Sequence, residues 1–443
     1  MIEKIVKRDG RLVPFKREKI ALAILSAAIA VGGRNREAAE RVTDDVVEHL
    51  ENRRAEGTYP TVEEVQDLVE KCLIERGHAK TAKAYIIYRY EHALKRAGKE
   101  SLTYSSDNIP YRKLWNTLVW GVDNGIVRLS DLQSYVRRGA FAELIEISER
   151  FYEQELSQAL SQILDRMEDV RMVIVSGPSS SGKTTTTKKV EERLRPRGYN
   201  LVPLAVDNYY HDLESHPKDT SGDYDYEAPQ AIDLDLLGRH LEQLIAGRTV
   251  QIPYYNFKTG NREGISEELT LRPNDIILID SLHGMFEGMT EGIAEEKKFK
   301  LYVETLSQLK DGAGRFIRWA DVRMLRRMVR DAQFRNYNPT QTIAHWHYVR
   351  RSELRYIVSR LQEAHAIVNT FLPFELPVMK SRLEGLVPGF IERFRDDPER
   401  EDAYERALRV QDIFRQIPGW SDESVVPRYS LLREFIGGSG YEY

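Results

Sequence analysis

Cysteine is almost missing: Cys72 stands alone among 443 residues, which excludes an intramolecular disulfide framework and any zinc site built on thiolates. Long apolar runs are missing too. The longest, residues 20–31, covers 12 positions and contains Ser26, short of the roughly 20 residues that a bilayer-spanning helix needs. The start of the chain has no basic segment, apolar stretch and small-residue cleavage site in succession, so a cytoplasmic protein with no membrane partner is expected. Charge of one sign is also lacking, since 65 Lys and Arg against 69 Asp and Glu leave a net −4. That balance gives no overall attraction to nucleic acid, and no nucleic-acid partner is expected. What is present is a globular composition, 41% hydrophobic and 30% charged, at a length that predicts two or three domains. No internal repeat or low-complexity tract stands out.

The spacing of apolar residues divides the chain. Residues 2–6 are β-prone, Asp9-Gly10 is a turn, and residues 12–15 supply a hairpin partner. Ile20, Ile24, Ala27, Ala28 and Val31 then fall at helical spacing and stop at Gly32-Gly33. A second helix opens at Thr61, with Glu64 completing a capping box and Val65, Leu68, Val69, Cys72 and Leu73 on its apolar face. A third spans residues 79–96, and the polar segment 99–110 marks a boundary. Residues 111–169 read as a helical layer carrying no chemistry. After it the pattern changes: residues 172–175, 201–206, 276–279 and 299–303 are short apolar runs separated by helical stretches, which predicts a parallel sheet flanked by helices. The last sixty residues read as helical and charged.

The strongest motif is GPSSSGKT, Gly177 to Thr184, matching G-x-x-x-x-G-K-[ST] directly after a predicted strand and before a helical stretch. Gly177 and Gly182 permit the backbone turn, and the N–H groups of Ser179, Ser180, Ser181 and Thr185 can point at phosphate oxygens beside a helix N-terminus. Lys183 would reach the β- and γ-phosphates and the Thr184 hydroxyl would hold Mg²⁺, so ATP or GTP is the expected ligand. A ligand-free Gly/Ser-rich turn is the plain alternative. Asp207, in VDNYY, follows the next predicted strand, where a carboxylate can accept a hydroxyl proton or join the Mg²⁺ shell. Asp280, after NDIILI, is positioned as a second Mg²⁺ carboxylate. Either acid alone would equally suit a cap or a turn.

Eleven arginines lie between Arg315 and Arg360 against Asp321, Asp331 and Glu353, an excess of 11 − 3 = +8. Such a run is commonly a solvated helix face. Arg323, Arg326, Arg327 and Arg330, however, share one face at i, i+3, i+4 and i+7, and beside a phosphate loop they are expected to form a lid over the nucleotide phosphates.

From about residue 172 to 380 the chain resembles the uridine kinase and phosphoribulokinase family of P-loop kinases. The blocks that carry the likeness are GPSSSGKT, VDNYY, GDYDYEAPQAIDLDLL, IPYYNFKTGNR, IDSLHGM and DVRMLRRMVRD, in that order. The resemblance implies Asp207 as general base, acting with Lys183 and Arg327. It implies Asp280 as the Mg²⁺-associated acid, one methylene shorter than the family's Glu, and Tyr210, Tyr255 and Arg262 facing the acceptor. One departure bears on the substrate: where uridine kinases carry an Asp and then a histidine that reads the base, this sequence has Asn256 and then Gly260. The opening block IVKRDGRLVPFKREKIALAILSA resembles an ATP-cone, a small nucleotide-sensing domain, and implies that Lys7, Arg8 and Lys19 contact the phosphates of a nucleotide effector.

These readings combine into an α/β P-loop NTPase-type fold: a parallel sheet flanked by helices, with a small N-terminal α/β ATP-cone and a helical linker region. The expected bounds are 1–98 for the ATP-cone, 99–169 for the linker, 170–380 for the kinase domain and 381–443 for a helical extension. The expected activity is transfer of the γ-phosphoryl of Mg·ATP to a hydroxyl of a small molecule in a uridine kinase-like manner, with nucleotide regulation at the ATP-cone. Both resembled families commonly assemble, which implies a homo-oligomer. Two alternatives stay open: a kinase of 2-phosphoglycerate or a polyol, to which Lys218, Lys258 and Arg262 are suited, and a nucleotide-gated regulator without transfer activity.

Overall fold

A computed structural model describes residues 2–7, 11–33, 35–53, 59–85, 109–217, 228–397 and 400–442. The chain forms two compact units, Met1–Asp107 and Asn108–Tyr443. Among the described residues no helix is long and apolar enough to cross a membrane.

In the first unit, β1 (Lys4–Val6) and β2 (Leu12–Pro14) pair antiparallel with Ile5 opposite Val13. The turn expected at Asp9-Gly10 lies outside the described residues. The helix Arg17–Ala30 buries Ile20, Ile24 and Ala27, and Gly32 ends it in the left-handed region at φ 86°. Val31 falls beyond its last turn and is 41% exposed. The Thr61 capping box is present in both directions, Glu64 N–H to the Thr61 hydroxyl and Thr61 N–H to the Glu64 carboxylate, ahead of helix Val62–Glu75. All five residues expected on that helix's apolar face are buried. One helix, Arg36–Arg53, escaped the periodicity reading. Its only strong signal is Ala39, Val42, Val46 and Leu50 scattered among charges, and these four are its core face. Of the third expected helix, residues 79–85 are described and helical.

The second unit is built on a sheet whose central strand, β3 (Met172–Ser176), is buried at every residue. Next come β4 (Asn200–Pro203) and a separate antiparallel hairpin of β5 (Val250–Asn256) and β6 (Asn261–Leu269). Then follow β7 (Asp275–Asp280), β8 (Lys298–Glu304) and β9 (Ala366–Asn369). The sheet order is β4-β7-β3-β8-β9, all parallel. Because successive strand residues face opposite sides, β3 serves two cores. Val173 and Val175 pack with helices Phe141–Leu164 and Trp319–Phe334, while Met172 and Ile174 pack with helix Leu234–Ile245 and the base of the hairpin. Burial on both faces is why β3 reads as an unbroken apolar run. The chain passes from β3 to one side of the sheet and later returns to the other, so the crevice at the carboxyl end of β3 is the topological switch point, where ligands bind in such sheets.

Two expectations change. The second strand stops at Pro203, and its last bond to β7 runs from the Leu204 N–H to the Leu278 carbonyl at 2.9 Å. Asp207 therefore lies not at a strand end but in a 3₁₀ turn, Val206–Tyr209. The helices of residues 111–169 (Tyr111–Asp123, Leu129–Arg137 and Phe141–Leu164) pack into the same core as the sheet, as do helices Val387–Phe394 and Glu401–Gln416 of the tail.

Gly177 leaves β3 at φ 154°, and a methyl group there would lie 2.2 Å from the Val303 carbonyl oxygen of β8. Gly177→Ala should therefore lower stability in urea unfolding by about 1–3 kcal/mol. Gly238→Ala has open space at its Cβ inside helix Leu234–Ile245 and should be neutral or stabilise by up to about 1 kcal/mol.

Candidate active site

The phosphate loop joins β3 to helix Lys183–Leu194, with Gly182 as a left-handed N-cap at φ 91°. Ser180 also sits at positive φ, 59°, a conformation costly for a residue with a side chain and one that clusters at binding sites. What holds it lies behind the loop. Arg323 donates to the Ser179 carbonyl at 3.1 Å, and Arg326 donates to the Ser180 and Ser181 carbonyls at 3.4 and 3.3 Å. The Thr370 hydroxyl donates to the Ser181 carbonyl at 2.5 Å.

Both guanidiniums are fully buried and doubly paired. Arg323 meets Glu304 at 2.8 Å and Glu353 at 2.5 Å, and Arg326 forms a fork with Glu375 at 2.5 and 2.9 Å. The carboxylates push the Arg323 pKa above its ordinary value against the pull of burial, and the two cations around Glu353 hold its carboxyl below the usual range. This corrects the expectation of a four-arginine lid. Helix Trp319–Phe334 is packed in the core with Arg323 and Arg326 inside it, since a charge can be buried only beside its partner. Arg327 and Arg330 remain partly open. Arg327 donates to the Ser179 hydroxyl at 3.1 Å and to Asp331 at 3.2 Å, while Arg330 pairs with Asp331 at 3.1 Å.

At the front of the loop the Lys183 ammonium donates to the carbonyls of Gly177 and Pro178 at 2.9 and 3.2 Å. Burial lowers its pKa, and the nearby charges of Asp280 and Glu434 oppose that shift. Asp280 ends β7 beside Val175 of β3. Its surroundings push its pKa up to about 6, chiefly by desolvation; Lys183 opposes this, while Glu434 and Asp207 add to it. Desolvation also raises the Asp207 carboxyl. Thus Asp280 lies within electrostatic reach of both Lys183 and Asp207, three residues spread over 97 positions of the chain. Thr184, in the first turn of helix Lys183–Leu194, is half-buried.

The turn carrying Asp207 leads into a cavity of about 180 Å³ lined by Tyr210, His216, Tyr255, Phe257, Lys258 and neighbouring backbone. Tyr210 and Tyr255 lie 5.5 Å apart, and Tyr255 and Phe257 5.0 Å apart, by ring centroids. Arg262, expected to face the acceptor, does not line it. Its guanidinium pairs with Asp233 at 3.0 Å and donates to the Tyr209 and Tyr210 carbonyls at 3.1 and 3.0 Å, where it braces the turn that carries Asp207. Gly260, at φ 72°, fits against Leu213 with no room for a side chain. In the first unit Lys7 is half-buried beside the hairpin and Lys19 is exposed on helix Arg17–Ala30; Arg8 lies outside the described residues.

Four site-forming residues carried no signal in the sequence: Glu304, Glu353, Glu375 and Glu434. Acids are common in this chain, and nothing in their local spacing says which arginine or backbone group each will meet.

A phosphate loop at the switch point of a parallel sheet, with two carboxylates and a lysine at its mouth, defines a P-loop phosphotransferase. The family model described as Phosphoribulokinase / Uridine kinase family matches residues 172–374, and the ATP cone domain model matches residues 3–94. A uridine kinase from Brevibacillus brevis is 30% identical over 198 residues, spanning 44% of this chain and 83% of that protein. One from Deinococcus deserti is 29% identical over 195 residues, 44% of this chain and 84% of that protein. The solved structure of a possible uridine kinase from Bacillus stearothermophilus superposes with a TM-score of 0.23 at 20% identity, covering 32% of this chain and 80% of that one. The chain belongs to the phosphoribulokinase and uridine kinase family. It is a kinase that acts on a hydroxyl of a small molecule, and it carries an ATP-cone region ahead of the kinase region.

The Arg326–Glu375 pair supplies a test of the brace. Removing one partner of a fully buried pair leaves the other charge uncompensated, at a cost of about 3–5 kcal/mol. Glu375→Gln should lose stability on that scale in urea unfolding, and its nucleotide affinity should fall as the loop carbonyls lose their anchor.

Proposed function

We propose that this protein transfers the γ-phosphoryl group of ATP to a hydroxyl of a nucleoside-like acceptor bound in the aromatic cavity. The observation that carries this reading is the placement of Lys183, Asp280 and Asp207 beyond the carboxyl ends of the neighbouring strands β3, β7 and β4, with Tyr210 three residues beyond Asp207 at the cavity wall. Aromatic walls suit a flat ring, and uridine is the acceptor named for the relatives in the family.

In this mechanism the acceptor hydroxyl gives its proton to Asp207, whose carboxylate desolvation makes a stronger proton acceptor than a free one. The acceptor oxygen forms a bond to the γ-phosphorus as the bond to the β,γ-bridging oxygen breaks, and ADP departs with that oxygen. Lys183 and Arg327 face the phosphoryl oxygens and stabilise the charge that spreads over them. Thr184, Asp207 and Asp280 offer oxygen donors of the kind Mg²⁺ prefers. Among the described residues no group of three or more His, Cys, Asp or Glu could hold a metal by itself, which fits an ion shared with substrate phosphates and water. When bound, Mg²⁺ would neutralise charge on the β- and γ-phosphates. Nucleotide bound at the ATP-cone, with Lys7 and Lys19 among its contacts, would tune this activity.

Lys258 in the cavity wall favours one second reading, an anionic acceptor such as 2-phosphoglycerate. The test is ADP release from Mg·ATP against nucleosides, polyols and phosphorylated acids. The expected result is an acceptor-dependent rate with a nucleoside, reduced about 10²–10⁴-fold in kcat by Asp207→Asn. A rate that appears only with phosphorylated acids would select the second reading. Acceptor-independent ADP release that ignores the substitution would remove both.

A further inference from the structure

Helix Lys183–Leu194 turns the N–H groups at its start toward the site where the loop takes phosphate. One of these positions is filled by the chain itself. The Glu434 carboxylate accepts from the Thr185 N–H at 3.0 Å and from the Thr185 hydroxyl at 2.7 Å, through the same oxygen. Glu434 belongs to the short helix Arg433–Ile436, 249 residues downstream and beyond the residues matched by the kinase family model.

The contact is built rather than casual. Leu431, fully buried, rests on Gly182 so closely that a methyl group at Gly182 would lie 2.5 Å from it. The Phe435 ring lies 5.1 Å from the Arg326 guanidinium that braces the loop. Arg382 holds the segment from the other side, donating to the Ile436 carbonyl at 2.9 Å and pairing with Glu423 at 2.5 Å. Glu434 itself is 8% exposed, and its charge is felt at Lys183, Asp280 and Arg330.

A helix N-terminus favours a negative group, and a phosphate and a carboxylate use the same donors. They cannot share the Thr185 N–H. We infer that Glu434 is an internal anion that competes with the nucleotide phosphates for the phosphate loop, so that binding requires its carboxylate to leave Thr185. The tail thus sets nucleotide affinity: the affinity seen in solution is the intrinsic one reduced by the fraction of molecules in which Glu434 has let go. The segment's backbone is anchored at Arg382 and Leu431, so release is a rotation of the Glu434 side chain and leaves the fold in place. This inference rests on the loop being the ATP site.

Titration calorimetry of the full chain with ATP, without and with Mg²⁺, tests it. Glu434→Gln keeps the side-chain shape and removes the charge, and should bind ATP about tenfold tighter than the wild type. Glu434→Asp withdraws the carboxylate by one methylene and should shift affinity in the same direction by a smaller factor. Thermal melts of both variants establish that each is folded. Equal or weaker binding by both folded variants overturns the inference and makes Glu434 a support of the loop, with the ATP site intact. Absence of ATP binding in all three proteins overturns the ATP site itself, and the inference with it.

Discussion

A loop that is to surround phosphate must aim its N–H groups before the phosphate arrives, and in this protein that aim is set from behind. A trans peptide points its carbonyl and the following N–H in opposite directions. Anchoring the carbonyls of Ser179, Ser180 and Ser181 on Arg323 and Arg326 therefore turns the N–H groups of Ser180, Ser181 and Gly182 the other way, that of Ser181 onto the Pro178 carbonyl at 3.3 Å. Ser180 is held at positive φ by the same anchors. The arginines in turn stay charged inside the core only because Glu304, Glu353 and Glu375 lie against them. A buried pair of this kind adds little net stability compared with apolar packing. What it contributes here is direction, since the guanidinium forks fix three consecutive carbonyls at once.

The acceptor side uses the same device on a smaller scale. Arg262 spends its guanidinium on Asp233 and on the carbonyls of Tyr209 and Tyr210, and so it fixes the turn that presents Asp207. The hairpin of β5 and β6 that delivers Arg262 also delivers Tyr255 and Phe257 to the cavity. One supersecondary unit thus carries both the wall of the cavity and the strut of the residue opposite it.

Much of this was legible in the residue order. The central strand, the phosphate loop, the capping box at Thr61 and the apolar face of helix Val62–Glu75 all follow from local period or local hydrogen bonding, which neighbouring residues determine among themselves. The errors have equally local causes. The chain turns into the 3₁₀ turn Val206–Tyr209 where hydropathy alone would carry the strand to Val206. Helix Arg36–Arg53 hides because only four spaced apolar residues mark its buried face. Strand β9, Ala366–Asn369, is only four residues long and carries no distinctive signal.

The arginines of helix Trp319–Phe334 mark where local reading stops. Their i, i+3, i+4 and i+7 spacing is correct as helix geometry, yet whether a charged face meets solvent or core depends on carboxylates at 304, 353 and 375 that no spacing rule connects to it. The same holds for Glu434, which reaches Thr185 across 249 residues of chain. The sequence by itself determined most of the elements, the loop and the chemical types at its mouth, because these depend on contacts a few residues apart. Tertiary structure alone decided which arginines are buried, which residue braces Asp207 and which carboxylate rests on the phosphate loop. Pairing of charges across the fold depends on where the backbone brings them together, and on the need of each buried charge for a partner.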